Sequence, residues 1–260
     1  YGPGNWQNIP DTVRGMFLPD NGRVVLQADY SQAEAVVVAH LTGNADIQRA
    51  LRERADVHTR MAALMFQKEE ADVTKEERAT GKTIRHAANY ANELDIEEQR
   101  AKYLLRLCLD ADPLLVAWHH KIRQTLEREQ MTLTTPLGRK RRFLGRWGDA
   151  LFREAYAFVP QSTVGDLLNI ALVDFYNKHG DEYDVWLQLH DAIYLQVQAS
   201  SHSVLKAMNL LHQCMIKEIA VNGTQMTINV DFKVGWNWGS LRNVKLGDAF
   251  GVQSVLEERQ

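Results

Sequence analysis

The stretch "LQLHDAIYLQV", Leu187 to Val197, reads as two apolar strands joined at a tight His-Asp break, an antiparallel hairpin. A hairpin this apolar needs further strands beside it and helices over it, so it sets the fold class. Asp191 at its tip has a plain explanation, because Asp is a common turn residue. Its meaning depends on whether a second carboxylate elsewhere lies in matching surroundings.

Working outward, "GRVVLQAD" (Gly22–Asp29) is a β-branched strand ending on a carboxylate. "SQAEAVVVAHLTG" follows as a helix, with Ser31 as its N-cap and Gly43 as its stop. From Asp46 to about Arg128 the pattern is helical, broken near Asp110–Pro113. "MTLTTPLGRKRRF" reads as a strand pair or a turn-rich loop. "PQSTVGDLLNIALVDFYNKHG" reads as a helix capped by Ser162 or Thr163 and ended by Gly180. After the hairpin come a helix around Ser203–Val221 and a last strand, "MTINVDFKVG". This order predicts an α+β fold, an antiparallel sheet backed by helices with a helical subdomain inserted, rather than βαβ alternation.

The chain has 260 residues, 45% hydrophobic and 24% charged, which is enough to bury a sizeable core. No apolar run approaches the roughly 18 residues that span a bilayer, and no signal-peptide pattern opens the sequence. Cys108 and Cys214 lie far from any CxxC or His partner, so neither structural zinc nor a disulfide framework is expected, and a reducing compartment is. The net charge of −3 gives no global signature of nucleic-acid binding, so any such contact must be local. The first residues, "YGPGNWQNIP", read as the cut end of something longer.

The match for Asp191 is Asp29, in "VVLQADYSQAEAVVV". Each ends an apolar strand that can hold its carboxylate rigidly. Two carboxylates fixed this way can bridge two Mg²⁺ ions roughly 4 Å apart, which clamp both oxygens of an in-line phosphoryl transfer. Mg²⁺ suits such a place because it completes its octahedron with water and substrate phosphate. Asp29 taken alone is also an ordinary strand end, and Glu34 is explained by a capping box from Ser31.

"RATGKTIRHAANYA" (Arg78–Ala91) spaces Arg78, Lys82, His86 and Tyr90 four residues apart. On a helix they share one face along roughly 18 Å, with Ala79, Ile84, Ala87, Ala88 and Ala91 on the other. Two cations, an imidazole and a phenol suit a nucleoside triphosphate: phosphates at one end, sugar and base at the other. A solvated basic stripe backed by a packed face explains the same residues. Further on, "GRKRRFLGRWGDALFR" holds Arg139, Lys140, Arg141, Arg142, Arg146 and Arg153 among Phe143, Trp147 and Phe152. That interleaving suits a nucleic-acid backbone, and contacts of this kind are salt-sensitive.

Three separated stretches, "DYSQAEAVVVAHL", "RATGKTIRHAANYA" and "LHDA", resemble polymerase motifs A, B and C of the family A DNA polymerases, the bacterial DNA polymerase I type. "NWQNIP", "DVHTRMAALMF", "REAYAFVPQSTVGDLLNIAL" and "VGWNWGSL" extend the similarity over nearly the whole chain in the family's order. The resemblance implies a right-hand polymerase palm in two parts, 1–45 and 136–260, with helical fingers over 46–135. It implies template-directed DNA synthesis from dNTPs on a primer–template, in DNA replication, with two Mg²⁺ as cofactor and Mn²⁺ able to substitute. Asp29 and Asp191 would hold the metals with the carbonyl of Tyr30. Gln32, Glu34, Arg78, Lys82, His86 and Tyr90 would meet the nucleotide: Glu34 would exclude a 2′-hydroxyl, and Lys82 would be the proton donor to pyrophosphate. Arg139, Arg141, Arg153, Gln161 and His190 would contact DNA.

Four positions depart from the family pattern. His86 stands for Phe or Tyr, Ala91 for Gly, Val36 for a common Arg, and Ala192 for the Glu after the motif C Asp. The last removes an accessory carboxylate and leaves both principal ligands. The family's thumb, exonuclease domain and an upstream minor-groove arginine are not in this sequence, which predicts weak DNA binding and low processivity unless the same or a separate polypeptide supplies them. The resemblance implies a cytoplasmic setting in a bacterial or phage-infected cell, or an organelle. Two rivals stand beside this reading: a relative of single-subunit RNA polymerases, and a catalytically silent module that binds DNA or a replication partner.

Overall fold

The computed structural model describes residues 8–90 and 98–258. In chain order the elements are α1 (Asp11–Arg14), β1 (Arg23–Tyr30), α2 (Ala33–Thr42), α3 (Ala45–Arg52), α4 (Val57–Phe66), α5 (Lys75–Tyr90), α6 (Glu98–Ala111) and α7 (Pro113–Arg128). They continue as β2 (Thr132–Thr134), β3 (Lys140–Arg142), α8 (Asp149–His179), β4 (Asp184–Leu189), β5 (Ala192–Gln198) and α9 (Ser201–Met215). The last are β6 (Ile219–Val221), β7 (Thr224–Met226), β8 (Val230–Gly235), β9 (Arg242–Val244) and α10 (Ala249–Glu257). Among the described residues no helix is long and apolar enough to cross a membrane. Two compact units result.

The first unit comprises Tyr1–Ala33, Val164–Glu218 and Thr227–Gln260. Its centre is a five-stranded antiparallel sheet in the order β4-β5-β1-β8-β9. β1 lies in the middle, which explains why Val24, Val25 and Leu26 run as one apolar block: both faces of a covered central strand are buried. α9 packs on β1, β5 and β8. Val25, Leu189, Ala192, Tyr194 and Trp238 form a separate buried cluster joined by Phe17 and Trp186. The opening hairpin is therefore real, with β4 and β5 on either side of His190 and Asp191. Motif A ends the central strand, one ladder away.

The second unit, Glu34–Thr163 with Ile219–Met226, is mostly helical. Its core draws Ile84, Ala88 and Tyr90 of α5, Leu104 and Cys108 of α6, and Trp118, Ile122 and Leu126 of α7 against Phe143, Phe152 and Tyr156. Asp112 caps α7, accepting the Leu115 N–H, and Pro113 sits at the first helical position, where its missing N–H costs nothing. Its other carboxylate oxygen receives the buried Arg85 guanidinium at 2.8 Å. Gly81 lies where a Cβ would come 2.5 Å from the carbonyl oxygen of His58, so α4 and α5 pack backbone to backbone there.

Three expectations about local structure are corrected. α2 starts at Ala33, not after a Ser31 cap, because Gln32 takes a left-handed conformation (φ 51°) and the Ser31 N–H donates to Asn229. α8 does not begin at Ser162 or Thr163 but runs through Pro160 from Asp149. Buried Phe152, Ala155, Tyr156 and Val159 recur at helical spacing there, and that packing outweighs the one hydrogen bond Pro removes. Thr163 instead donates its hydroxyl to the Val159 carbonyl at 2.7 Å. The helix expected to reach Val221 stops at Met215, and β6–β7 turn over Asn222-Gly223, both at positive φ. Asn-Gly is the residue pair such a hairpin turn favours.

Candidate active site

In the first unit, register brings the carboxylates together. Asp29 stands on β1 opposite Ala192 of β5 and Asp231 of β8, and the Tyr30 N–H donates to the Asp191 carbonyl at 3.2 Å. The Asp29 carboxyl is pushed up to about 7, first by burial, then by the Asp191 charge and a carboxyl–carboxyl hydrogen bond with it. Lys233 opposes this and Asp231 adds to it. Oδ1 of Asp29 is buried with no hydrogen-bond partner among the described residues. Like charges facing across a ladder are destabilising, and an orphaned buried carboxylate oxygen costs more. A cation would relieve both. No cluster of three or more His, Cys, Asp or Glu side chains suited to a metal occurs among the described residues. An ion here would rest on two carboxylates and fill its shell with backbone, water and substrate oxygens, which is the habit of Mg²⁺.

Tyr30 closes β1, buried, its hydroxyl donating to the Met215 carbonyl at 2.9 Å. Burial holds that phenol in its neutral form. His190 is exposed at the hairpin turn with φ 52°, a left-handed position rare outside Gly and Asn. Ala192 is buried against the same cluster as Tyr194 and Trp238, so the methyl at this departure from the family pattern is packed.

In the second unit, α5 places its four spaced residues in three different surroundings. Lys82 is exposed and without an acidic partner among the described residues. Arg78 is paired to Asp56, the N-cap of α4. His86 is exposed, its Nδ1 3.4 Å from Oε2 of Glu34 and its ring edge-on to Tyr90 at 4.7 Å. Tyr90 is fully buried and donates its hydroxyl to Glu34. Burial first, and then the Glu34 charge, hold the Tyr90 phenol in its neutral form. The expected shared face is therefore graded from water to core. Of the opposite face, Ile84, Ala87 and Ala88 are buried while Ala79 is exposed; Ala91 lies outside the described residues. Glu34 does not close a capping box. It is the acceptor for Tyr90.

Residues 3–240 match the model of DNA polymerase family A. The chain belongs to this family. It is 30% identical over 253 residues to the thermostable DNA polymerase I of Thermus filiformis, matching 89% of this chain and 29% of that protein. It is 25% identical over 260 residues to DNA polymerase I of Borreliella burgdorferi, 91% of this chain and 28% of that one. The chain thus spans less than a third of the length of these curated relatives. Its fold matches the POL domain of Pol1 from M. smegmatis, solved in complex with DNA primer-template and dNTP, with a TM-score of 0.76 at 23% identity, over 92% of this chain and 45% of that chain. The α+β palm with inserted helical fingers is accordingly the architecture of this family A chain.

The remaining residues singled out in the sequence of this family A polymerase chain lie along the β2–β3 hairpin and α8. Arg139 is exposed, and its main chain bonds Thr135 in both directions, at 2.9 and 3.1 Å. Arg141 pairs with Glu154 at 2.6 Å. Arg153 is partly buried on α8, and Gln161 is exposed one residue beyond Pro160. Phe143 and Phe152, which interleave with these cations in the sequence, are core residues. Sequence reasoning missed Asp231 and Lys233, which flank Asp29 from β8, and Asp56, which holds Arg78. It also missed His58, whose imidazole burial keeps neutral, with its pKa lowered to about 4 and its Nδ1 unpartnered. None carries a local signal, because each acts through the strand or helix beside it.

Proposed function

We propose that this chain performs template-directed DNA synthesis: the primer 3′-hydroxyl attacks the α-phosphate of a dNTP, a P–O bond forms, and pyrophosphate leaves. The observation that carries the reading is the meeting of Asp29 and Asp191, with its orphaned oxygen and raised pKa. These two carboxylates, with the Tyr30 carbonyl, would hold two Mg²⁺, or Mn²⁺ in their place. Bound there, the ions supply charge neutralisation at the attacking and leaving oxygens. Lys82, exposed and without an acidic partner among the described residues, neutralises the triphosphate and donates a proton to the leaving pyrophosphate. Arg78 joins it by exchanging the Asp56 carboxylate for phosphate, a swap that keeps its charge paired.

Glu34, held by the Tyr90 hydroxyl, excludes a 2′-hydroxyl, while Gln32, His86 and Tyr90 border the sugar and base. His190 approaches the primer terminus, and Arg139, Arg141, Arg153 and Gln161 touch the duplex. Primer extension with dNTPs tests the reading, comparing the chain with Asp29→Ala and with rNTPs in place of dNTPs. Loss of extension to background in Asp29→Ala is expected, and equal extension by both proteins overturns it. Ready use of rNTPs would point to the RNA-polymerase relative.

A further inference from the structure

Lys82, His86 and Tyr90 of α5 are each preceded by a buried residue: Gly81, Arg85 and Asn89. Steps of four keep these three on one face as well, turned about 100° from the stripe of Lys82, His86 and Tyr90. Each meets a neighbouring helix through backbone or polar atoms. Gly81 lies against the backbone of α4, and Arg85 pairs with Asp112 at the start of α7. The Asn89 carbonyl meets Nε2 of His119, further along α7, at 2.8 Å. A carbonyl only accepts, so His119 carries its proton on Nε2 and donates. Burial, first, lowers the His119 pKa against the Asn89 bond, with the Arg123 and His120 charges adding to the lowering, so the ring is neutral. Its plane is fixed by its neighbours. The ring stacks on buried Tyr156, centroids 4.0 Å apart and 19° from parallel, and the Tyr156 hydroxyl accepts from Nε of Arg123 at 2.5 Å. Arg123 in turn lies 4.5 Å over the Phe152 ring.

Apolar packing is non-directional and sets how deeply a helix sits, whereas a hydrogen bond weakens steeply with angle and fixes how the helix is turned. Towards the Tyr90 end of α5 the packed residues include the small Ala87 and Ala88, and the side-chain oxygen of Asn89 has no partner among the described residues. The His119 bond is a directional restraint acting one residue before Tyr90, whose hydroxyl reaches Glu34. We propose that His119 is a positioning residue for sugar selection: through the Asn89 carbonyl it sets the turn of α5 at which the Tyr90 hydroxyl meets Glu34. An apolar residue in its place would fill the core and leave that turn unset. The inference rests on the polymerase reading only for what Glu34 selects, and the restraint on α5 stands without it.

His119→Phe keeps a ring to stack on Tyr156 and deletes the donor, while His119→Gln returns an N–H donor without the ring. Single-nucleotide incorporation gives kcat/KM for a dNTP and for the matching rNTP. The dNTP-to-rNTP ratio should fall about tenfold in His119→Phe, the worth of about one hydrogen bond, and return to within about threefold of the parent in His119→Gln. Amide exchange at residues 87–90 of the nucleotide-free chain should rise about tenfold in His119→Phe and fall back in His119→Gln, a readout that needs no catalysis. Should His119→Phe fail to fold, His119→Met gives the same reading, since its flexible chain fills the space without a donor. A ratio unchanged in the donorless variant overturns the proposal. So does a ratio that falls equally in His119→Gln, the mark of a merely structural histidine. A parent that extends no primer defeats the polymerase reading, and exchange that still follows the donor then upholds the restraint on α5. Exchange indifferent to the donor overturns the inference in either case.

Discussion

Tyr30 and Asp191 are joined main chain to main chain, N–H to carbonyl at 3.2 Å, where β1 ends and β5 is about to begin. The carboxylates beside that bond are therefore positioned by the sheet register, not by side-chain freedom. A slip of one residue would send Asp29 to the opposite face. A site set this way can tolerate internal charge repulsion, because the neighbouring rungs hold it.

That repulsion predicts a trade between stability and activity. Asp29→Asn removes a charge crowded by Asp191 and Asp231 and should raise the melting temperature at pH 8 in EDTA by roughly 3–8 °C. It should abolish primer extension. Mg²⁺ should stabilise the parent chain and leave Asp29→Asn nearly unmoved. Scanning calorimetry with and without Mg²⁺ checks both halves, and a variant less stable than the parent in EDTA refutes the repulsion.

Two buried groups tilt stability against pH in opposite senses. Asp29 holds its proton more tightly folded, at about 7, than at the ordinary 3.8, so its contribution falls as pH rises from about 4 to 7. His58 binds its proton less tightly folded, at about 4 against an ordinary 6.5, so its contribution rises with pH over nearly the same window. The parent curve should be shallow. Asp29→Asn should expose the rising His58 limb between about pH 4 and 6.5, and urea unfolding across that range reads it.

Arg85 and Asp112 form a buried pair in which Asp112 also caps α7 and accepts the Asn44 amide at 3.0 Å. Asp112→Ala strands a buried guanidinium and uncaps a helix, and should cost about 3–5 kcal/mol in urea unfolding. Replacing both partners by apolar residues should recover part of that loss. A cost below about 1 kcal/mol for Asp112→Ala would falsify the assignment.

The Tyr90 hydroxyl on Glu34 predicts a graded effect on sugar choice. Glu34→Ala should raise rNTP incorporation relative to dNTP, and Tyr90→Phe should do so by a smaller factor, because the carboxylate remains but loses its anchor. Single-nucleotide incorporation kinetics measure the ratio. Tyr90→Phe matching the parent ratio would show that Glu34 needs no anchor.

What the sequence revealed and what it hid have physical causes. Asp29 and Asp191 were legible because both terminate apolar strands, a local pattern. The start of α2 was not, because a left-handed Gln32 shifts it past Ser31 without changing composition. Pro160 reads as a helix start, and only the buried Phe152 and Tyr156 upstream, visible in three dimensions, carry the helix through it. The Asn222-Gly223 turn was present as a signal but was overrun by the apolar spacing of α9. Partners such as Asp56 for Arg78, or Asp112 for Arg85, lie on neighbouring helices, and chain distance hides them.

Gly81 gives α5 a dependence that none of its working side chains would reveal. With the His58 carbonyl where a methyl would go, the helix carrying Lys82 is located by an absence of bulk one residue away. Any enlargement there would lift Lys82 along with its helix. Nucleotide affinity should then drift while every group named for nucleotide binding stays chemically intact, and a screen confined to charged residues would pass over the position that sets their height.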